Sequence, residues 1–424
     1  MRILHFSDLH IGVENYGRLD PATGLSTRLA DFLGALDEVV EFALAQKVDL
    51  LLLAGDAYKG RDPSQTHQRE FASRLFRVAS AGIPVFLLVG NHDLPNASSR
   101  ANAVEIFPTL QVPNVYIGDN LQTYMVNTPA GPLQVLAVPW PRRGRLLSRE
   151  ESRGMTIDQV RAEIESRMTM AIDQRISELD PDVPAILTGH VTINGSTTGT
   201  ERSMMLGNDH VLLASAVHRP EVEYVALGHI HKHQVLRREA PTMAYSGSLQ
   251  RVDFSEENDD KGFCVVDLDT GAPRGQRMTD FQFQLVNARR FVTVNVTIAP
   301  GEPDPTAAVL RAIGRHDVED AVVRVRIRLP AEAEPGLREG EIRQALQSAH
   351  FIAAISHDVE GTRRTRLASG ESEGLQPLQA LRIYLEGRET TPERAETVLR
   401  YGEEIIGEVE SGMTTPSDQG LSSS

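Results

Sequence analysis

Five short clusters of metal-ligand residues punctuate this 424-residue chain: Asp8-Leu9-His10, Gly55-Asp56, Gly90-Asn91-His92-Asp93, Gly189-His190 and Gly228-His229-Ile230-His231. Carboxylate, amide and imidazole donors suit manganese, iron or zinc, and the lack of cysteine among them disfavours a thiolate zinc site. Any one cluster is weak, because a Gly-Asp commonly caps a turn and Asp-x-His arises by chance. The set is strong because each cluster follows a predicted strand. Two aspartates, an asparagine and several histidines are enough for two cations sharing a ligand, an arrangement suited to attack on phosphate esters. Asp56 follows the most apolar run, Leu50–Ala54. A carboxylate is costly to bury there unless it is paired or metal-bound, and one of its oxygens could bridge two cations. Asp8 and His10 share a period-two spacing with His229 and His231, which would let each pair point to one side.

The elements that must position these residues are legible as apolar runs. Strands are predicted at 2–6, 49–54, 84–89, 133–138, 184–188, 223–227 and 263–268, and helices at 27–46, 64–80 and 156–178. Such alternation implies an α/β domain over residues 1–286. Function in these sheets gathers at the carboxyl ends of strands, where the clusters lie. Gly55, Gly90, Gly189 and Gly228 suit the tight turns that would release side chains toward a common centre. A second module, 287–360, reads as α+β. Phe291–Ile298 and Ala321–Leu329 alternate apolar and polar residues, with a helix at Pro305–Gly314 between them. A connection at Ala331–Gly336, a helix at about 337–348 and a strand at about 351–358 follow. Residues 361–376 read as a linker, 377–410 as a helix pair and 411–424 as a disordered tail. The first helix of the pair puts Leu378, Leu381 and Leu385 on one face. The second starts at Thr391 and Pro392 and aligns Ala395, Val398, Leu399, Gly402, Ile405 and Ile406.

The totals narrow the function classes. A net charge of −15 argues against a general polyanion binder. Any nucleic-acid contact must then be local, with Arg142, Arg143 and Arg145 or Arg363, Arg364 and Arg366 as candidates, and bound divalent ions would reverse the field inside the site. No apolar run reaches the roughly 20 residues of a membrane span, and the N-terminus lacks a signal-peptide layout. The single cysteine, Cys264, cannot form an internal disulfide and is expected to be buried packing, so the cytoplasm is the expected compartment. No Gly-x4-Gly-Lys-Ser/Thr phosphate loop is present.

The wording of the clusters resembles the calcineurin-like metallophosphoesterases. More narrowly, Met1–His10, Ala54–Asp56, Gly90–Asp93, Ala226–His231 and Tyr245–Phe254 are similar to the SbcD-type nuclease subunits of double-strand-break repair complexes. The likeness covers residues 1 to about 270, with 287–360 resembling that family's capping domain. The helix pair is similar to the segment that grips the ATPase partner, SbcC. The resemblance implies an αββα sandwich core, DNA as substrate and a homodimer, with helices 64–80 and about 98–107 as candidate contacts. It implies two divalent ions, manganese by preference, with Mg2+, Fe2+ or Zn2+ as alternatives. One would be held by Asp8, His10, Asp56 and His231, the other by Asp56, Asn91, His190 and His229.

His92, beside Asn91, is the residue expected to stabilise the phosphate or protonate the leaving group, and Asp93 to hold the loop. Lys59 stands where some relatives carry a histidine and is a candidate phosphate contact. Arg251 is a candidate DNA contact. His233 extends the alternation of His229 and His231 but reads as packing. Two other functions compete: a phosphodiesterase for small substrates, and an inactive scaffold of a repair complex.

Overall fold

The computed structural model describes residues 1–95, 100–148, 150–199, 210–360, 378, 381–382, 385 and 392–410. Arg363, Arg364, Arg366 and Thr391, the expected 361–376 linker and the expected tail lie outside the described residues, as do the side chains of Arg143 and Arg145. In chain order the first elements are β1 (Arg2–Phe6), α1 (Thr27–Gln46), β2 (Leu50–Leu53), α2 (Gln65–Ser80) and β3 (Val85–Leu88). Next come α3 (Ile106–Thr109), β4 (Val115–Gly118), β5 (Gln122–Thr128), β6 (Gly131–Val138), α4 (Arg143–Leu146) and α5 (Ile157–Ser177). The strands β7 (Ala185–His190), β8 (Thr192–Ile193), β9 (Val211–Leu212), β10 (Tyr224–Gly228), β11 (Gln234–Arg237) and β12 (Thr242–Tyr245) follow. β13 (Gly262–Leu268) and β14 (Met278–Leu285) complete this set.

Two six-stranded sheets result, ordered β14-β13-β1-β2-β3-β4 and β11-β12-β10-β7-β6-β5. β1 to β4 run parallel, as do β6, β7, β10 and β12, while β13 joins β1 antiparallel. The period of two along each strand builds three apolar layers. Ile3, Leu50, Leu52, Phe86, Leu88, Val135, Ala137, Ile186, Tyr224 and Ala226 form one core between the sheets. Their neighbours in β1, β2 and β3 (Leu4, Phe6, Leu51, Leu53, Val85, Leu87) point the other way, under α1 and α2. Leu136, Val138, Leu187, Val225 and Leu227 point outward from the second sheet, under α5. The four leucines of β2 are all fully buried, and burial of each contributes about 1.5–3 kcal/mol. This is the expected αββα sandwich.

The helices obey local rules. α1 buries Leu29, Phe32, Leu33, Leu36, Val39, Val40 and Ala43 on one face. Ser64 caps α2 through the His67 N–H, and Thr156 and Gln159 form a reciprocal capping box on α5. The helix expected at about 98–107 is not formed among the described residues: it is reduced to the single turn α3. Asn102 accepts the Val104 N–H and Glu105 accepts the Asn102 N–H, which closes a turn, and Pro108 supplies no donor. No helix among the described residues is long and apolar enough to cross a membrane.

The described chain divides into two compact units. One comprises Met1–Val294, Leu310–Val325 and Gly340–Ile355, the other Asn295–Val309, Arg326–Glu339 and the described part of Ser356–Ser424. The strands β15 (Phe291–Thr297), β16 (Val322–Pro330) and β17 (Phe351–Glu360) pass from the first into the second and form a three-stranded sheet in that order. In the first unit Phe291 and Val322 pack with Phe254, and Tyr16 and Phe351 join them. In the second, Thr306 Oγ1 donates to the Gly336 carbonyl and accepts from the Arg338 N–H. The final helix, Pro392–Glu410, brings Gly402 against Leu381 and Leu378; a Cβ at 402 would stand 2.6 Å from Leu381 Cδ2. Among the described residues, Gly402 thus faces Leu378 and Leu381.

Candidate metal centre

β1 ends at Phe6, so Asp8 and His10 do not alternate along a strand. Both adopt left-handed backbone, with φ of 52° and 48°, and so do Asp56 (57°) and His229 (96°). Such conformations cost on the order of 1–3 kcal/mol each outside glycine and gather at functional sites. Hydrogen bonds between the loops impose them. The Asp8 N–H donates to the Gly55 carbonyl and the His10 N–H to the Asp56 carbonyl, both at 3.1 Å. The His229 N–H donates to both Asp8 carboxylate oxygens at 3.1 Å, and Ser7 Oγ donates to Asp8 Oδ2 at 2.5 Å.

Three glycines are required by proximity, Gly228 among them, where a Cβ would lie 2.1 Å from the Ala54 carbonyl oxygen. A Cβ at Gly55 would lie 2.1 Å from His190 Nδ1, and one at Gly90 the same distance from Asp56 Oδ1. Gly189 is different: it lies within β7, and a Cβ there would meet nothing closer than 3.4 Å. Its expected turn role is corrected.

These loops bring Asp8, His10, Asp56, Asn91, His190, His229 and His231 into one buried centre with two groups of donors. In the first, the ligand atoms of Asp8, His10 and His231 lie within 4.8 Å of one another, and His10 Nε2 is 2.9 Å from His231 Nε2. In the second, His190 Nε2 is 3.1 Å from Asp56 Oδ2 and 3.0 Å from Asn91 Oδ1. His229 Nδ1 is 3.2 Å from that same Asn91 oxygen. Asp56 stands between the groups, with Oδ2 also 3.9 Å from His10 Nε2.

His190 Nδ1 lies 2.8 Å from the Ala54 carbonyl, which only accepts, so Nδ1 bears the hydrogen. In the neutral ring Nε2 then presents a lone pair to two further acceptors, Asp56 Oδ2 and Asn91 Oδ1. Only a cation or an added proton satisfies three converging acceptors. His231 repeats the pattern: Nδ1 donates to Glu256 Oε1 at 2.8 Å, leaving Nε2 as a lone pair toward His10. The residues fit a divalent-metal centre.

Electrostatics agree. Burial depresses the His229 imidazole to about 3 and takes His10 well below its ordinary value, so both are neutral ligands-in-waiting. For His190 burial also lowers the value, but the Asp56 carboxylate outweighs it and raises the ring to about 9. A raised histidine contributes stability that is complete below its unfolded value near 6.5 and is lost as pH rises through 9. Chelator-treated protein should therefore lose on the order of 3 kcal/mol between pH 6.5 and 9 in urea unfolding. Saturating manganese should flatten that slope, because the cation takes the place of the proton.

The surrounding residues sort themselves by their contacts. Asp93 accepts four backbone N–H groups, from Asp56, Ala57, Tyr58 and Gly90, and so ties the two loops together. His92 is half-buried. Its N–H donates to Asp56 Oδ1 at 2.8 Å, its Nδ1 to the Lys59 carbonyl at 2.7 Å, and its ring stands edge-on to His10 at 4.9 Å. A ring nitrogen of His92 also lies within 4.8 Å of ligand atoms of His10 and Asp56. The Lys59 side chain is exposed, and its contact with the site runs through its main chain. His233 hydrogen-bonds the Tyr245 carbonyl and stacks on Phe283 outside the centre. Cys264 is fully buried, which pushes its thiol up to about 12.

Arg251 corrects its expected DNA contact. Its guanidinium donates to the carbonyls of Glu256, Glu257, Asp259, Ala288 and Arg289, a brace that uses its donors within the fold. Arg251→Ala should lower stability by about 2 kcal/mol, read as a shift of the urea midpoint.

Three residues were not anticipated. Trp140 lays its ring 4.9 Å from His229 and within 6.3 Å of His190. It follows β6, so the strand-end rule could have found it. Glu256 and Lys261 sit behind His231, and no pattern in the chain marks them.

A family model described as calcineurin-like phosphoesterase matches residues 1–233, more than half of the chain and every ligand cluster. The SbcD subunit of the nuclease SbcCD from Rhodobacter capsulatus is 31% identical over 292 residues, covering 64% of this chain and 67% of that protein. The Bacillus subtilis protein of the same name is 27% identical over 284 residues with the same coverage. The DNA double-strand break repair protein Mre11 of Halobacterium salinarum is 24% identical over 351 residues, 81% of this chain and 76% of that one. The buried donor set and these likenesses agree: the chain belongs to the calcineurin-like phosphoesterases as an SbcD-like metallophosphoesterase.

Proposed function

We propose that this chain is a manganese-dependent DNA exonuclease/endonuclease that hydrolyses phosphodiester bonds with two ions. It would act with an SbcC-type ATPase in cytoplasmic double-strand-break or hairpin processing. The observation that carries the reading is the convergence of His190 Nε2, Asp56 Oδ2 and Asn91 Oδ1, three buried atoms that only a proton or a cation between them can satisfy.

In this reading Asp8, His10, Asp56 and His231 hold one ion, and Asp56, Asn91, His190 and His229 the other. Divalent cations, when bound, supply positive charge for phosphoryl oxygens and lower the pKa of an attacking water. The chain's own residues do the rest. Asp56 keeps the two donor groups in register. Asp93 fixes the loops that carry Asp56 and Asn91. Trp140 walls the His229 side. His92 directs its Nε2 toward the departing sugar oxygen and, after taking up a proton from solvent there, passes that proton to it. In this reading the exposed Lys59 side chain supplies a positive charge for a phosphate.

The module 287–360 serves as the cap over DNA, and the helix pair 377–410 as the grip on the ATPase. Phe76 on α2 is 61% exposed, and Ile106 and Leu110 are 47% and 67% exposed. Such side chains near α2 and α3 support a homodimer contact there.

The test is cleavage of blunt and hairpin DNA with and without SbcC, across manganese, magnesium, iron and zinc. A chromogenic diester is assayed in parallel. Manganese-dependent DNA cleavage is expected. Turnover of the diester alone would indicate a small-substrate phosphodiesterase, and no hydrolysis with any metal would indicate a scaffold.

A further inference from the structure

We propose that Glu256 and Lys261 are a positioning pair: they lock His231 in its Nδ1–H tautomer and thereby set ion affinity at the Asp8–His10–His231 position alone. The inference rests on the two-ion reading above and concerns how one of its two positions is tuned.

Both side chains are almost wholly buried, Glu256 and Lys261 each at 2% exposure. Glu256 Oε1 accepts from His231 Nδ1 at 2.8 Å. Oε2 accepts from Lys261 Nζ at 2.6 Å and from the Val252 N–H at 3.1 Å. The Lys261 ammonium has three donors. One goes to Glu256, one to Ser248 Oγ at 2.8 Å and one to the carbonyl of His231 itself at 3.1 Å. The pair therefore grips His231 at both ring and main chain.

Burial of an ion pair is costly, and apolar side chains of similar volume would often serve packing as well. A carboxylate behind an imidazole does what an apolar group cannot. It fixes which nitrogen bears the hydrogen, orients the ring and raises the basicity of the outward nitrogen. The described contacts of Glu256 and Lys261 reach His231, while in the other donor group His190 Nδ1 faces the neutral Ala54 carbonyl. That asymmetry is why the effect should fall on one position.

The test uses the full chain with Glu256→Leu and Lys261→Met together, so that no buried charge is left alone. Nitrogen NMR on chelator-treated protein reads the His231 tautomer, and manganese titration reads the two affinities. The wild type should show Nδ1–H. The double variant should unfold at nearly the wild-type temperature, show mixed tautomers, and bind one manganese about 10–100-fold more weakly with the other unchanged. Glu256→Gln made together with Lys261→Met, so that the one amide oxygen is not drawn to an ammonium and can accept from Nδ1, should keep Nδ1–H and recover part of the affinity. It supplies the same two readouts if the first double variant does not fold. Unchanged tautomer and affinities in the folded double variant, or equal weakening at both positions, would overturn the proposal. A wild type binding fewer than two ions would count against the two-ion reading instead, while the tautomer, measured without metal, decides the pair's role separately.

Discussion

Asp56→Asn should abolish manganese-dependent cleavage of linear DNA, a loss well beyond the about 10–100-fold that removing an outer hydrogen-bond partner costs. The substitution is nearly isosteric. Oδ1 can still accept the His92 N–H, now 2.8 Å away, so the loop should hold its shape. What changes is the other atom: an amide nitrogen replaces Oδ2, the oxygen lying 3.1 Å from His190 Nε2 and 3.9 Å from His10 Nε2. A neutral donor at that point faces both ligand groups at once. Manganese titration should therefore show both ions weakened, not one. A second consequence follows from the carboxylate's effect on His190, which it raises to about 9. Without Asp56 the loss of stability between pH 6.5 and 9 in metal-free protein should shrink toward nothing. Retained cleavage with two bound ions would refute the bridging role outright.

The inner strands were legible because each is buried on both faces. β2 is four leucines, and β3 reads Val-Phe-Leu-Leu, so hydrophobic runs alone locate them. The peripheral strands were not. β14 (Met-Thr-Asp-Phe-Gln-Phe-Gln-Leu) has no fully buried residue, and β11 (Gln-Val-Leu-Arg) has none either. They are strands because a formed neighbour offers them hydrogen bonds, which is a property of the tertiary structure and not of their own composition. The same limit explains α3: turn chemistry at Asn102 and Glu105 competes with an otherwise helical stretch and prevails.

At the site, the donor residues were legible because sheets of this kind expose their chemistry where strands end. The route by which they converge was not. Period-two spacing suggests that Asp8 and His10 share a strand face, whereas the chain reaches the centre through left-handed backbone at both residues. Outer partners are harder still. Glu256 lies 25 residues from His231 in sequence, and only folding brings its carboxylate to the ring. Arg251 was misread for the same reason. A basic residue in a Ser/Gly-rich run looks exposed, yet the chain returns five carbonyls to its guanidinium.

His92→Ala should leave manganese affinity close to wild type and lower turnover on DNA by about 100-fold or more, within the range general acid catalysis commonly contributes. The contact between this segment and the Asp56 carboxylate runs through the main-chain N–H of residue 92, which alanine keeps. The ring's own role is set by Nδ1, which donates to the Lys59 carbonyl at 2.7 Å and so leaves Nε2 as the nitrogen free to exchange a proton. The ring is also less enclosed than His10, His190, His229 or His231, all of which are buried. A nitrogen that must meet substrate requires that access, and one that only holds a metal does not. The leaving group supplies the sharper measurement. A diester with an activated aryl leaving group departs without needing a proton, so His92→Ala should slow it far less than it slows DNA. Equal slowing of both substrates would place His92 on the phosphate instead of the departing oxygen. A fall in bound manganese that tracks the fall in rate would make it a ligand, in line with its position within reach of His10 and Asp56.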